Sequence, residues 1–160
     1  MFGIVAVVAT YYIQIAPVRG ITSFYSISPD AFPWAVFVIG LPIGALVTNV
    51  LIIDDIRDHE FDAVKGWRTG AVRYGVEWSR AQFTALMVFA YLAPLCFWLA
   101  PGYDAWVLLP LLTVPWAFTA VHAIRTLEQP TDFLPMTPKM AQLSLIYSLL
   151  LATGIAVSNG

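Results

Sequence analysis

Three aspartates stand at four-residue intervals, Asp54, Asp58 and Asp62, with Asp55 and Glu60 between them. On a helix that spacing makes one acidic stripe. Like charges so placed repel, so the helix calls for a cation among them. Carboxylate oxygens suit hard cations, and magnesium typically takes one or two carboxylates together with phosphate oxygens of a substrate. Lys65, Arg68 and Arg73 follow within the next turns of chain and could hold phosphate directly. The pattern therefore predicts a site for Mg2+ with a phosphate or diphosphate, in which Asp54, Asp58 and Asp62 face the metal and the three basic residues face the phosphates. The competing reading is an ordinary solvated loop of mixed charge. Against it, the stripe starts where an apolar run ends, and ionised side chains near membrane depth are costly and usually functional.

The elements that must carry this stripe are apolar. The chain is 59% hydrophobic and 11% charged, with mean hydropathy +0.76, whereas a soluble domain carries about 25% charged residues. Five apolar segments can be marked, at 1–16, 31–53, 81–100, 105–124 and 140–158. A spanning helix needs about 20 residues, so the last four suffice and the first is short. The expected fold is an all-α, multi-pass transmembrane helical bundle of about five spans. Pro42, Pro94, Pro110 and Pro115 fall inside these segments and predict kinks. With alternating helices, 54–80 and 125–139 share one face of the membrane and hold seven of the eight basic residues. That bias predicts a cell-membrane protein with both loops in the cytoplasm. A net charge of −2 gives no support to a nucleic-acid partner. The lone cysteine, Cys96, reads as a small buried hydrophobe. Asn49, late in its span, is placed to orient Asp54 or to bond a neighbouring helix. His59 reads as a solvated neighbour of the aspartates, and His122 as an interfacial residue.

At the acidic stretch the sequence resembles the UbiA superfamily of intramembrane prenyltransferases. Its second aspartate-rich motif, D-x-x-x-D, is matched by Asp58-His-Glu-Phe-Asp62. The branch that prenylates 1,4-dihydroxy-2-naphthoate in menaquinone synthesis tends to read N-N-x-R-D-x-x-x-D, then G-K-R-T-L-A-V and a closing glycine. Here Asp54-Asp55-Ile56-Arg57-Asp58 leads to Asp62, Gly66, Trp67-Arg68-Thr69-Gly70-Ala71-Val72 and Gly75. Phe2–Gln14 resembles the helix before that motif, and Leu134–Ile155 the closing helix. Asp54 and Asp55 stand where the pattern has asparagines, Trp67 where it has a basic residue, and Gly70 where it has leucine.

The resemblance implies Mg2+-dependent transfer of a polyprenyl group from a polyprenyl diphosphate to an aromatic acceptor. Asp58 and Asp62 would be catalytic and metal-binding, with Asp54 a further ligand. Lys65, Arg68 and Arg73 would bind the diphosphate, and Tyr11, Tyr12, Gln14 and Asn49 would lie towards the substrates. Other acceptors of the superfamily, 4-hydroxybenzoate or homogentisate, remain open. Family members have about nine helices and an earlier N-D-x-x-D motif that this sequence lacks. Residues 1–160 are therefore expected to be the C-terminal part of one such domain, inactive without the N-terminal half. The alternative is a non-catalytic membrane subunit or an inactive fragment.

Overall fold

The computed structural model describes residues 2–18 and 34–158, and the regular structure among them is helical. In chain order come α1 (Phe2–Val18), α2 (Trp34–Arg57), the short α3 (His59–Lys65) and α4 (Gly70–Tyr74), and α5 (Val76–Trp98). A 3-10 segment, Ala105–Thr113, then runs into α6 (Val114–Thr126), followed by α7 (Pro130–Phe133) and α8 (Met136–Ser158). Four stretches are long and apolar enough to cross a membrane: Val36–Arg57, Val76–Trp98, Ala105–Thr126 and Pro130–Ser158. With the shorter apolar α1, this is the expected multi-pass helical bundle of a membrane protein. Arg19 and most of the polar connection after α1 lie outside the described residues.

The boundaries shift for identifiable reasons. The second span was expected to end at 53, yet α2 continues to Arg57. Nothing in Asp54–Arg57 breaks a helix, and Arg57 pairs back to Asp54 across one turn at 2.9 Å, with its charge favourably placed at the helix C-terminus. α5 begins five residues before the expected start, directly after Gly75, whose φ of 93° and ψ of 158° fit only glycine comfortably. Pro110 and Pro115 do not kink one continuous helix. Pro110 sits in the 3-10 segment, and Pro115 starts α6, where its missing N–H is no loss.

α2 is central, packing against α1, α5 and α8. Leu46, Ile53, Phe83, Ile124, Leu143, Tyr147 and Leu151 form the buried centre. In lipid no water can satisfy polar groups inside the bundle, so those present bond across helices. Asn49, fully buried, donates to the Phe83 carbonyl at 3.1 Å, which is one of the two roles expected for it, while its own Oδ1 has no partner among the described residues. Tyr147 donates to the Ala90 carbonyl, and Tyr91 shares a hydrogen bond with Thr113. Where α8 crosses the 3-10 segment the backbones nearly touch. A Cβ on Gly154 would overlap the Trp106 carbonyl and lie 2.9 Å from the Val107 Cα.

Large apolar side chains such as Val88, Leu92, Leu112, Phe118, Leu145 and Leu149 point outwards. Outward apolar faces suit lipid as the surrounding solvent. Cys96 belongs to that outer surface and corrects the expectation that it is buried. A small apolar side chain has no reason to turn inwards when the exterior is itself hydrocarbon.

Candidate functional site

The site forms where α2 gives way to the two short helices α3 and α4 before α5. Asp58 leaves the regular helix, with φ −98° and ψ 6°. Yet the Asp58 amide still bonds to the Asp54 carbonyl at 2.9 Å, and the Asp62 amide to the Asp58 carbonyl at 2.9 Å. The acidic stripe thus stays in helical register across the break. Gly66, at φ 74°, ends α3 with a paired capping pattern: its amide reaches the Ala63 carbonyl and that of Trp67 reaches the Asp62 carbonyl. Trp67 then packs edge-on against Phe61, 6.2 Å between ring centres.

The cation demanded by the stripe is Arg57. Its guanidinium grips Asp58 through two bonds, Nε to Oδ1 at 2.8 Å and Nη2 to Oδ2 at 2.6 Å, and reaches Asp54 Oδ1 at 2.9 Å. Those bonds hold the Asp58 carboxyl below the usual carboxylate range, because the guanidinium favours the charged form. Asp54 accepts a second bond from the Thr137 hydroxyl at the start of α8, at 2.9 Å. Asp55, on the next position, accepts a long bond of 3.4 Å from the Gly70 amide and feels repulsion from Asp62, Asp54 and Asp58.

Asp62 differs from the other three. It is only 5% exposed, and no side-chain hydrogen bond or ion pair reaches it among the described residues. The Thr69 hydroxyl, just ahead of α4, is buried without a partner among the described residues, as is the Arg80 Nε. Orphaned polar groups inside a fold are costly unless something satisfies them.

The expected phosphate-binding residues are exposed, and among the described residues none pairs with a carboxylate. Lys65 lies 5.5 Å from the Phe61 ring centre and Arg73 5.2 Å from that of Tyr74. Arg68 is exposed in the link from α3 to α4. Arg80, by contrast, is engaged with Glu77 and with the Leu127 carbonyl at the end of α6.

The structure therefore brings Asp54 and Asp58 together through Arg57 and sets Asp62 one turn beyond. Among the described residues no three His, Cys, Asp or Glu side chains converge into a complete metal cage. Two carboxylates with spare lone pairs, completed by phosphate oxygens, still make a donor set that fits magnesium. Gln14 lines an apolar cavity between α1, α2 and α8, whereas Tyr12 and Asn49 are not part of its wall. His59 rests on the Ile56 carbonyl at 2.8 Å. Sequence reasoning missed the role of Arg57 and the orphaned Thr69. The first was signalled by its position three residues after Asp54 and next to Asp58. The second carried no signal, since burial of one hydroxyl depends on the packing of α4.

Comparison with known proteins decides the family. The model of the UbiA prenyltransferase family matches residues 1–156. The chain belongs to the UbiA prenyltransferase family. Within this family it is 30% identical over 158 residues to a 1,4-dihydroxy-2-naphthoate octaprenyltransferase of Haemophilus influenzae, covering 98% of this chain and 46% of that protein. It is 24% identical to a protein of the same name from Mycobacterium leprae, covering 99% and 48% respectively. A UbiA prenyltransferase domain-containing protein 1 of Gallus gallus is 27% identical over 157 residues, 98% of this chain and 41% of its own length. The chain thus spans about half the length of the curated UbiA relatives it matches. No solved structure matches it.

Proposed function

We propose that this chain carries the diphosphate-gripping end of a Mg2+-dependent membrane prenyltransferase. It would move a polyprenyl group from a polyprenyl diphosphate to an aromatic acceptor, 1,4-dihydroxy-2-naphthoate being the one named by its relatives. The observation that carries this reading is Asp62, a residue only 5% exposed that no side-chain hydrogen bond or ion pair engages among the described residues, one turn past Asp58 and followed by three exposed cations. Lys65, Arg68 and Arg73 would steer the diphosphate and stabilise charge as the allylic C–O bond breaks. Magnesium, held by Asp58 and Asp62 with Asp54 alongside, would neutralise the departing diphosphate when bound. The surrounding apolar helices would keep water from the allylic cation. The acceptor ring then attacks that cation, and a dihydroxynaphthoate acceptor loses carbon dioxide from the carbon that forms the new bond. The excess of basic residues around this end supports a cytoplasmic placement in the cell membrane.

The sequence has no N-D-x-x-D motif, and the relatives are twice as long. The reading therefore assigns full turnover to this chain together with helices bearing a second carboxylate motif. Isothermal titration of Mg2+ with geranyl diphosphate into the protein in lipid nanodiscs tests it. Saturable binding that needs both components and is lost in Asp62→Ala is expected. Binding indifferent to Asp62, or to magnesium, would overturn the reading. A radiolabelled transfer assay on the 160-residue chain by itself should show no turnover.

A further inference from the structure

The link from α6 to α8 carries charges that the diphosphate reading leaves unused. Arg125 and Lys139 stand there against Glu128 and Asp132, so residues 125–139 have no net charge. α7 is pinned by Phe133, which is 2% exposed, while its neighbour Asp132 is turned outwards. Asp132 and, on the first turn of α8, Lys139 line one half-open pocket of about 250 Å³ between α6, α7 and α8. Its floor is apolar, with Trp116 from α6 and Met136, Met140 and Leu143 from α8. Asp132 and Lys139 are both exposed, and among the described residues neither has an ion pair or a side-chain hydrogen bond.

Three features select an occupant. The apolar stretches Ala105–Thr126 and Pro130–Ser158 meet at this end, so the pocket opens where hydrocarbon gives way to headgroups. Its volume is below the roughly 300–1,000 Å³ of pockets that take a whole small molecule, which suits one end of a longer molecule whose remainder lies in lipid. Its two unpaired charges are of opposite sign, so neither a purely anionic nor a purely cationic group satisfies both. We propose that this pocket holds a zwitterionic phospholipid with a primary ammonium. The ammonium lies against Asp132, the phosphate against Lys139, and an acyl chain runs along Trp116 and Leu143. A primary ammonium donates hydrogen bonds to a carboxylate, which a quaternary one cannot do. The site is separate from the acidic end. Met136, Lys139, Met140 and Leu143 share one face of α8, whereas Thr137, which meets Asp54, lies about 100° round the helix from Met136. No residue of the acidic stripe and none of Lys65, Arg68 and Arg73 lines the pocket.

The test is native mass spectrometry of the 160-residue chain released from micelles that hold equal amounts of palmitoyl-oleoyl phosphatidylethanolamine, phosphatidylcholine and phosphatidylglycerol. Mg2+ and diphosphate are left out, so the result does not depend on the diphosphate reading. One retained phosphatidylethanolamine is expected, favoured over each of the others about three- to fivefold, the scale of one exposed charged contact. Asp132→Ala should erase its preference over phosphatidylcholine, and Lys139→Gln should lower retention of both zwitterionic lipids. Both variants should melt with the parent chain, since neither side chain has a partner to lose. Ala120→Phe fills the pocket from α6 without touching a charge and should also lower retention. Equal retention of the three lipids, a preference for phosphatidylglycerol, or retention unmoved by all three substitutions overturns the proposal. Displacement of the lipid by an equal concentration of free phosphoethanolamine overturns it too, because the pocket would then serve a soluble zwitterion. Absence of any retained lipid, the result if another protein segment covers the pocket, overturns it as well.

Discussion

Two regions of the chain treat their polar groups in opposite ways. Around the 3-10 segment, interactions close on themselves: Thr113 bonds to Tyr91 and to the Pro110 carbonyl, and Gly154 lets α8 lie directly on Trp106. Around Asp54–Gly75, they are left open. Among the described residues the Thr69 hydroxyl is buried without a partner, no side-chain bond engages Asp62, and Lys65, Arg68 and Arg73 are exposed without carboxylates. Both regions border the same helices, so membrane packing alone does not explain the contrast. The first region is built for stability, and the second keeps part of its donors and acceptors unused, which is what the proposed binding role asks of it.

The contrast can be broken most sharply at Asp62. Asp62→Ala should weaken Mg2+-dependent geranyl diphosphate binding by more than about 100-fold, the scale expected when a charged ligand loses a buried ionic partner. Its melting temperature without ligand should not fall, because no hydrogen bond or ion pair of Asp62 is lost among the described residues. A fall in the melting temperature would mean that Asp62 is structural and would erase the distinction between the regions.

Gly154→Ala tests the other region. It should cost about 1–3 kcal/mol of stability through forced overpacking against Trp106, measured by denaturation in detergent, while the folded fraction binds diphosphate normally. Gly75→Ala should cost about 1–3 kcal/mol through backbone strain, and here binding should weaken too, since Gly75 sets the exit of α4. If the two glycine variants behave alike, the regions are not separable.

Smaller effects sharpen the picture. Arg68→Gln should weaken diphosphate binding about three- to tenfold and lessen its dependence on salt, as expected for an exposed charge. The ion pair of Arg57 with Asp58 has a pH signature. Asp58 is held below the free value of about 3.9, so the pair's stabilisation is complete above that pH and is lost as pH falls through the lower, folded value. A carbon-detected carboxyl titration should place Asp58 low in the native chain and return it upwards in Arg57→Gln.

Much of this was legible in the sequence, and the exceptions are instructive. Apolar length predicted the bundle, and the Asp58-x-x-x-Asp62 spacing predicted an acidic stripe in helical register, because both depend on chain-local periodicity. The exit from α2 was harder to read. Arg57 was visible, but whether it serves a ligand or its own neighbours depends on side-chain direction, and it turns back to Asp54 and Asp58. The split of one expected span into a 3-10 segment and α6 follows from two prolines five residues apart, yet their effect depends on what lies against them, here α8. The inward expectation for Cys96 failed because burial rules drawn from water do not transfer to lipid.

The hydroxyl of Thr137 spans 83 residues of chain to meet Asp54. A slide of α8 by a single residue's rise, about 1.5 Å, would part the two. Changes on the exposed side of the last helix, where Leu145 and Leu149 lie, thus have a mechanical route to the first carboxylate of the stripe. The last helix works as a rod whose axial position is registered at the first carboxylate of the stripe.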